Sequence, residues 1–196
     1  MDVFWVLLGI ICAERVAELV VSARHAAALL RDGGVESGFG HFPVMVALHA
    51  ALLVGCVVEP VVAHRAFLPA LGYPMLVVVL AANALRWWCI ATLGDRWSVR
   101  VIVLPGVPLV RSGPYRWFAH PNYVAVIVEG AALPLVGSAW ITSGCFTILN
   151  AVLLTVRIRC EARALAAAAP VASSAISAST VPPAPPAAPG AAPGAA

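Results

Sequence analysis

The richest chemistry in the chain lies in residues 96–123, RWSVRVIVLPGVPLVRSGPYRWFAHPNY. This stretch offers Arg96, Arg100, Arg111 and Arg116, aromatic faces at Trp97, Trp117 and Phe118, the imidazole of His120 and the amide of Asn122. Pro121 suits the first turn of a helix. The free N–H groups at a helix start attract a carboxylate or a phosphate. On residue types alone the stretch reads either as a surface for an anion-bearing ligand or as an interfacial loop pinned by aromatics and anionic lipid. A second motif, RIRCEARAL, spaces Arg157, Glu161 and Leu165 four apart, and Arg159 and Arg163 likewise. Glu161 can pair with Arg157 along one helix face, or both can project over the first stretch and touch what binds there. A third group, Glu129, stands alone in the apolar run VAVIVEGAALPLV.

The elements that must position these groups are unusual in composition. Of 196 residues, 62% are apolar and 11% charged, and the mean hydropathy is +0.94. Soluble domains carry roughly 25% charged side chains, so an ordinary cytosolic globule is excluded and a membrane protein is indicated. The net charge of +3 is spread too thinly to form a nucleic-acid footprint. All basic residues are arginine. The five cysteines (Cys12, Cys56, Cys89, Cys145 and Cys160) form no CxxC pair and most sit in apolar runs, so they read as small apolar side chains rather than as disulfide partners or metal ligands.

Five apolar segments of near-spanning length, at about 3–21, 43–62, 74–93, 121–139 and 140–158, predict an all-α integral membrane protein with five transmembrane helices. The first segment lacks a basic leader and is interrupted by Glu14, Arg15 and Glu18, which makes it a retained helix rather than a signal peptide. Segments four and five meet around Gly137-Ser138 and predict a tight hairpin. Residues 94–120 form a cap between helices three and four, with a turn at Pro105-Gly106 between the apolar pieces 101–104 and 107–110, and with Trp97, Trp117 and Phe118 at the headgroup boundary. The connection 22–42, the cap and the end of the last helix carry most of the arginines. The positive-inside rule therefore places them in the cytoplasm and the N-terminus outside, consistently for five spans of a multi-pass plasma-membrane protein. Residues 1–166 make the membrane domain. Residues 167–196, almost all Ala, Pro, Ser and Gly, predict a disordered tail.

Charged groups at membrane depth are costly and face the bundle interior. Arg15, Glu18, Ser22 and His25 follow a three-four spacing on the first helix, with Glu14 beside them. His49 lies on the second, Asn83 and Arg86 on the third, and Glu129 on the fourth. Counted at roughly 1.5 Å per residue, Glu14, His49, Arg86 and Glu129 all fall on the order of 9–12 Å below the cytoplasmic surface. This layer reads as the floor of a polar cavity open to the cytoplasm, or as pairing that only holds the bundle together, at about 0.6–2 kcal/mol per contact.

Together, GPYRWFAHPNYVAVIVEGAALPL and RIRCEARAL resemble the isoprenylcysteine carboxyl methyltransferase family, over most of residues 3–165. The pieces ERVAELVVSARH, GGVESG and HFPVMVALH are similar to a bacterial subgroup whose acceptor is an alkylpyrone or alkylresorcinol-type oxygen. The resemblance implies an O-methyltransferase that carries the methyl group of S-adenosylmethionine to a lipophilic acceptor arriving from the bilayer, either a polyketide-type phenol or enol oxygen or a prenylcysteine-like carboxylate. By position, Gly113, Pro114, Tyr115, His120, Pro121, Asn122 and Tyr123 would form the cofactor side. Arg157 and Glu161 would close the site and orient the acceptor, and Glu129 would act from the polar layer. Two positions depart from the family pattern: Ala119 replaces the arginine before His-Pro, and Ala162 the second glutamate. Arg116 or Arg159 would then replace the lost contact to the cofactor carboxylate. A phenol or enol acceptor would profit from a base, for which His120 and Glu129 are candidates.

Two other classes compete. A membrane reductase of the sterol-reductase type shares a similar C-terminal region but uses NADPH, and binding of adenosylmethionine without NADPH separates it. A small transporter or scaffold would line a route with the intramembrane charges, but no internal repeat is visible and the crowded cap opposes it.

Overall fold

Leu-, Ala- and Val-rich runs punctuated by Gly and Pro fold into five helices and one small β-ribbon in the computed structural model, which describes residues 2–179 and their side chains through residue 168. In chain order these are α1 (Asp2–Arg31), β1 (Val35–Ser37), α2 (His41–Val62), α3 (Pro69–Leu93), β2 (Val101–Val103), α4 (Pro121–Val136) and α5 (Trp140–Ser179), with short 3-10 turns at Gly94–Arg96 and Gly113–Arg116. Proline opens α3 and α4, where its missing N–H costs nothing. Gly33 follows α1 at φ +87°, a conformation that glycine adopts without strain. The α4–α5 hairpin is as tight as Gly137-Ser138 predicts, and the Ser138 hydroxyl locks it by donating to the Ala66 carbonyl at 3.0 Å.

Helices α2, α3 and α5 are each long and apolar enough to cross a membrane. Helix α4 is apolar but has 16 residues, about 24 Å at 1.5 Å per residue. It is nevertheless the centre of the bundle, burying Ala125, Glu129, Gly130, Ala132, Leu133, Pro134 and Val136. The core joins these to Phe4, Leu7, Leu8 and Ile11 of α1, Leu52 and Cys56 of α2, Val79 of α3 and Phe146 of α5. Gly130 makes the close approach possible, since a Cβ there would overlap the Phe146 ring. The other face of α1 exposes Val3, Val6, Ile10 and Val16, while its inner face buries Phe4, Leu7, Leu8 and Ile11 near one end and Glu18 and Ser22 further along.

Four expectations need correction. The fold is not all-α: β1 pairs antiparallel with β2, with Val35 opposite Val103 and Ser37 opposite Val101. Two three-residue strands give too short an alternation to read from sequence. The connection 22–42 is helical as far as Arg31, because Ala26, Ala27, Ala28, Leu29 and Leu30 are strong helix formers. Trp97 is buried at 3% exposure with its ring edge-on to His25, not at a boundary, whereas Trp117 and Phe118 are exposed. Finally, α5 continues to Ser179, into the stretch expected to be a disordered tail from 167 onward, since its alanines favour helix. The remainder of that expected tail, 180–196, lies outside the described residues.

Candidate active site beneath the cap

The polar layer assembles as a ring of charges. Glu18 accepts from Arg15 Nη1 at 2.9 Å and from Arg86 Nε at 2.9 Å. Glu129 closes the ring opposite, 3.5 Å from Arg15 Nη2 and 3.7 Å from Arg86 Nη1. Glu14 is held beside it, accepting from Asn83 Nδ2 at 2.6 Å and from Trp87 Nε1 at 3.3 Å. Glu18 and Glu129 each meet arginines from another turn or helix, which is how charges persist in an apolar interior. Of the four groups expected at one depth, Arg86 and Glu129 are in the ring and Glu14 is beside it. His49 sits next to the ring on α2, its Nδ1 2.9 Å from the Met45 carbonyl and its ring edge-on to Phe146.

The upper half of the α1 stripe does different work. The Ser22 hydroxyl accepts from the Val99 amide at 2.9 Å, and His25 Nδ1 lies 2.9 Å from the Trp97 carbonyl. These contacts, the β1–β2 pairing and the Arg100–Glu36 ion pair at 3.3 Å clasp the cap onto the end of α1. Arg100 also lies over the Phe42 ring.

Above the ring, α4 and α5 bring Tyr123, Arg157 and Glu161 together. The Tyr123 hydroxyl accepts from Arg157 Nε at 2.9 Å and donates to Glu161 Oε2 at 2.7 Å. Arg157 and Glu161 are therefore linked through the phenol rather than paired along their own helix. His120 stacks on the Tyr123 ring, 5.1 Å between centroids, with Nδ1 3.8 Å from Glu161 Oε2. The Arg157 guanidinium is 7% exposed and also donates to the Met45 sulfur and the Val99 carbonyl. No carboxylate lies within 4.0 Å of it among the described residues, so it is a buried cation without a direct counter-ion.

A cavity of about 1270 Å³ runs from the cap to the ring. Of the residues singled out from sequence, Tyr115, His120, Asn122, Tyr123, Arg157 and Glu161 line it. Pro114 and Pro121 are buried in the scaffold, and Gly113, at φ +54°, packs against α3, where a Cβ would come 2.5 Å from Thr92 Oγ1. Glu129 lies behind the cavity, in the ring and against a small void of about 10 Å³ that Arg15 and His49 share. Burial, and secondarily the neighbouring Cys89 thiol, pushes the Tyr115 phenol above its usual range. The amides of Tyr123 and Val124 both go to the His120 carbonyl, so the helix start offers fewer free donors than its sequence suggests. Of the two arginines that could stand in at Ala119, Arg116 lines the cavity, while Arg159 is exposed and lies outside its lining.

Sequence reasoning missed Met45, Ser98 and Asn150, all of which line the cavity. Asn150, 2% exposed in the apolar run TILNAVLL, carried a readable signal of the same kind as Glu129. Met45 carried none.

Fold and site together define a helical membrane protein with a roomy, polar-mouthed cavity between bundle and cap. The profile of the isoprenylcysteine carboxyl methyltransferase (ICMT) family matches residues 75–167. The chain is 36% identical over 163 residues to the uncharacterized protein YpbQ of Bacillus subtilis, covering 83% of this chain and 96% of that one. It is also 27% identical over 157 residues to an uncharacterized protein of Haemophilus influenzae, covering 80% and 91%. No solved structure matches. The chain belongs to the ICMT family, and that membership points to a membrane methyltransferase.

Proposed function

We propose that the protein transfers a methyl group from S-adenosylmethionine to an oxygen of a lipophilic acceptor, in a cavity just under the cytoplasmic leaflet. The observation that carries this reading is Arg157: a buried guanidinium with no direct counter-ion among the described residues, in the wall of a cavity, calls for an anionic ligand group. The other residues present suit the rest of such a donor. Asn122 Oδ1 and Asn150 Oδ1 are buried acceptors with no partner among the described residues, suited to ammonium, hydroxyl or amino hydrogens. The face of His120 turned away from Tyr123 suits a purine ring or a sulfonium cation.

Bound there, S-adenosylmethionine supplies an electrophilic methyl group. The chain's part is positioning and exclusion of water, which can provide much of the acceleration for such a displacement. Arg157 and Glu161, fixed to each other by Tyr123, orient the two reactants. Tyr115 donates a hydrogen bond. The apolar wall of Val16 and Leu19 on α1 and Ala50 and Leu53 on α2 reaches the cavity from the bundle side and accommodates an oily chain arriving from the bilayer. The acceptor belongs to the polyketide-type phenols and enols or to the prenylcysteine-like carboxylates.

In this reading α1 and α4 also enter the bilayer, giving five spans. Glu14, Arg15 and Glu18 find hydrogen-bond partners within the bundle, and short α4 is completed by its hairpin to α5. The N-terminus is outside and the cap cytoplasmic, where the methyl donor is made. The test is incubation of purified protein with radiolabelled adenosylmethionine and membrane lipid extracts, with identification of the labelled product. Saturable adenosylhomocysteine binding and a labelled lipid support the reading. NADPH binding in their place supports a reductase, and solute flux with no labelled product supports a transporter. Cysteine-accessibility mapping that put residues 94–120 outside would overturn it.

A further inference from the structure

The groups able to take a proton in or beside the cavity are Glu18, His49, His120, Glu129 and Glu161, and their surroundings differ: Glu18 accepts from Arg15 and Arg86, and Glu161 accepts from the Tyr123 hydroxyl. Glu129 is engaged by two arginines, Arg15 and Arg86, and lies outside the cavity lining. His120 is stacked on Tyr123 with its Nδ1 turned to Glu161. His49 lines the cavity, and its Nδ1 lies 2.9 Å from the Met45 carbonyl. A carbonyl oxygen only accepts, so Nδ1 carries the hydrogen, and Nε2 of the neutral ring is left as a bare lone pair. The backbone of α2 thereby fixes the tautomer from below, just as a second group does for catalytic histidines elsewhere. Leu53 and Val126 line the same cavity beside it, offering apolar contact to a ring-bearing acceptor.

We propose that His49 is the proton acceptor of the site, with Nε2 taking the hydrogen of an acceptor hydroxyl as its oxygen is methylated. This rests on the methyl-transfer reading above and adds to it a residue and a direction for the proton. The O–H bond breaks and its proton moves to Nε2. The oxygen's electron pair forms the new O–CH3 bond, and the carbon–sulfur pair stays on sulfur, leaving a neutral thioether. The imidazolium then loses its proton through the open cavity. Arg15 and Glu18 on α1, Arg86 on α3, Glu129 on α4 and Arg157 on α5 share the cavity or the small void with it, and none has a hydrogen bond to its ring.

The experiment compares wild type with His49→Gln and His49→Ala in bicelles, first for adenosylhomocysteine binding and then for methylation of a series of alkylphenols from weakly to strongly acidic. Binding equal to wild type shows that the variants are folded. The expected result is a loss of about 100-fold or more on weakly acidic phenols, shrinking toward none on nitrophenols that are already ionised, with loss of the low-pH limb of the rate profile. A second readout needs no turnover: 4-nitrophenol bound without any methyl donor shows its phenolate band at lower pH in wild type than in either variant. Equal rates, equal pH profiles and equal phenolate spectra overturn the assignment, as does a wild type that methylates carboxylates but no hydroxyl. A wild type that fails to bind adenosylhomocysteine overturns the methyl-transfer reading itself, and this proposal with it.

Discussion

Arg157 holds Tyr123 both at its edge and over its face: Nε donates to the phenol oxygen at 2.9 Å while the guanidinium carbon lies 5.7 Å from the ring centroid. Because the same phenol donates to Glu161, one hydroxyl sets the separation of a cation and an anion on successive turns of α5. Tyr123→Phe keeps the ring and removes that link. Hydrogen bonds to charged groups are worth about 1.5–3 kcal/mol, so methyl transfer should fall by roughly ten- to one-hundred-fold at about 1.4 kcal/mol per decade. Arg157→Lys should fare no better, having no planar fork. Steady-state rates check this, and wild-type turnover in both would remove the trio from the site.

His120→Ala and Glu161→Ala should each abolish methyl transfer in a protein that still inserts and purifies as wild type does. His120 supplies the stacked face and Glu161 the acceptor for Tyr123. Rates together with size-exclusion profiles decide it; normal turnover in both variants refutes the assignment.

Glu129→Leu leaves Arg15 and Arg86 to share Glu18. Removing one partner from a buried ion pair costs about 3–5 kcal/mol, so Tm should drop sharply and activity with it. Adding Arg86→Met should recover part of the stability, because it removes the charge left over. A Glu129→Leu protein that is fully active and melts higher than wild type would show that the ring is not needed for function.

Glu59 accepts from the amides of Ile141 and Thr142 and from the Thr142 hydroxyl, with Arg65 3.8 Å away, so a residue of α2 caps the start of α5. Glu59→Ala should lower stability by about 1 kcal/mol, the usual worth of a cap, and leave adenosylhomocysteine affinity unchanged. Thermal unfolding and calorimetric binding on the same sample test this. An altered affinity would tie the far end of the bundle to the cavity.

What could be read from the chain beforehand follows from how local each signal is. Glu129 in an apolar run, the Gly137-Ser138 break and the three-four stripe on α1 are short-range patterns, and each marks a feature that the structure contains. The ribbon between Val35 and Val103, the burial of Trp97 beneath His25, and the meeting of Arg157 with Glu161 on Tyr123 all depend on residues 34 or more apart in sequence. Such contacts leave no periodic trace. Spacing did suggest an Arg157–Glu161 pair, because helix geometry allows it. A competing hydroxyl from α4 won instead. The tautomer of His49 was equally hidden, since it is decided by which backbone oxygen the ring meets.

The clasp formed by Ser22, His25 and the β1–β2 ribbon has a consequence for the architecture. The family profile begins at Met75, yet Arg15, Glu18, Met45 and His49 all precede that point and complete the chamber's inner lining. A fragment cut to the matched stretch would be a bowl with one side missing, open to lipid, and its roof would have lost the hinge that fastens it to the first helix.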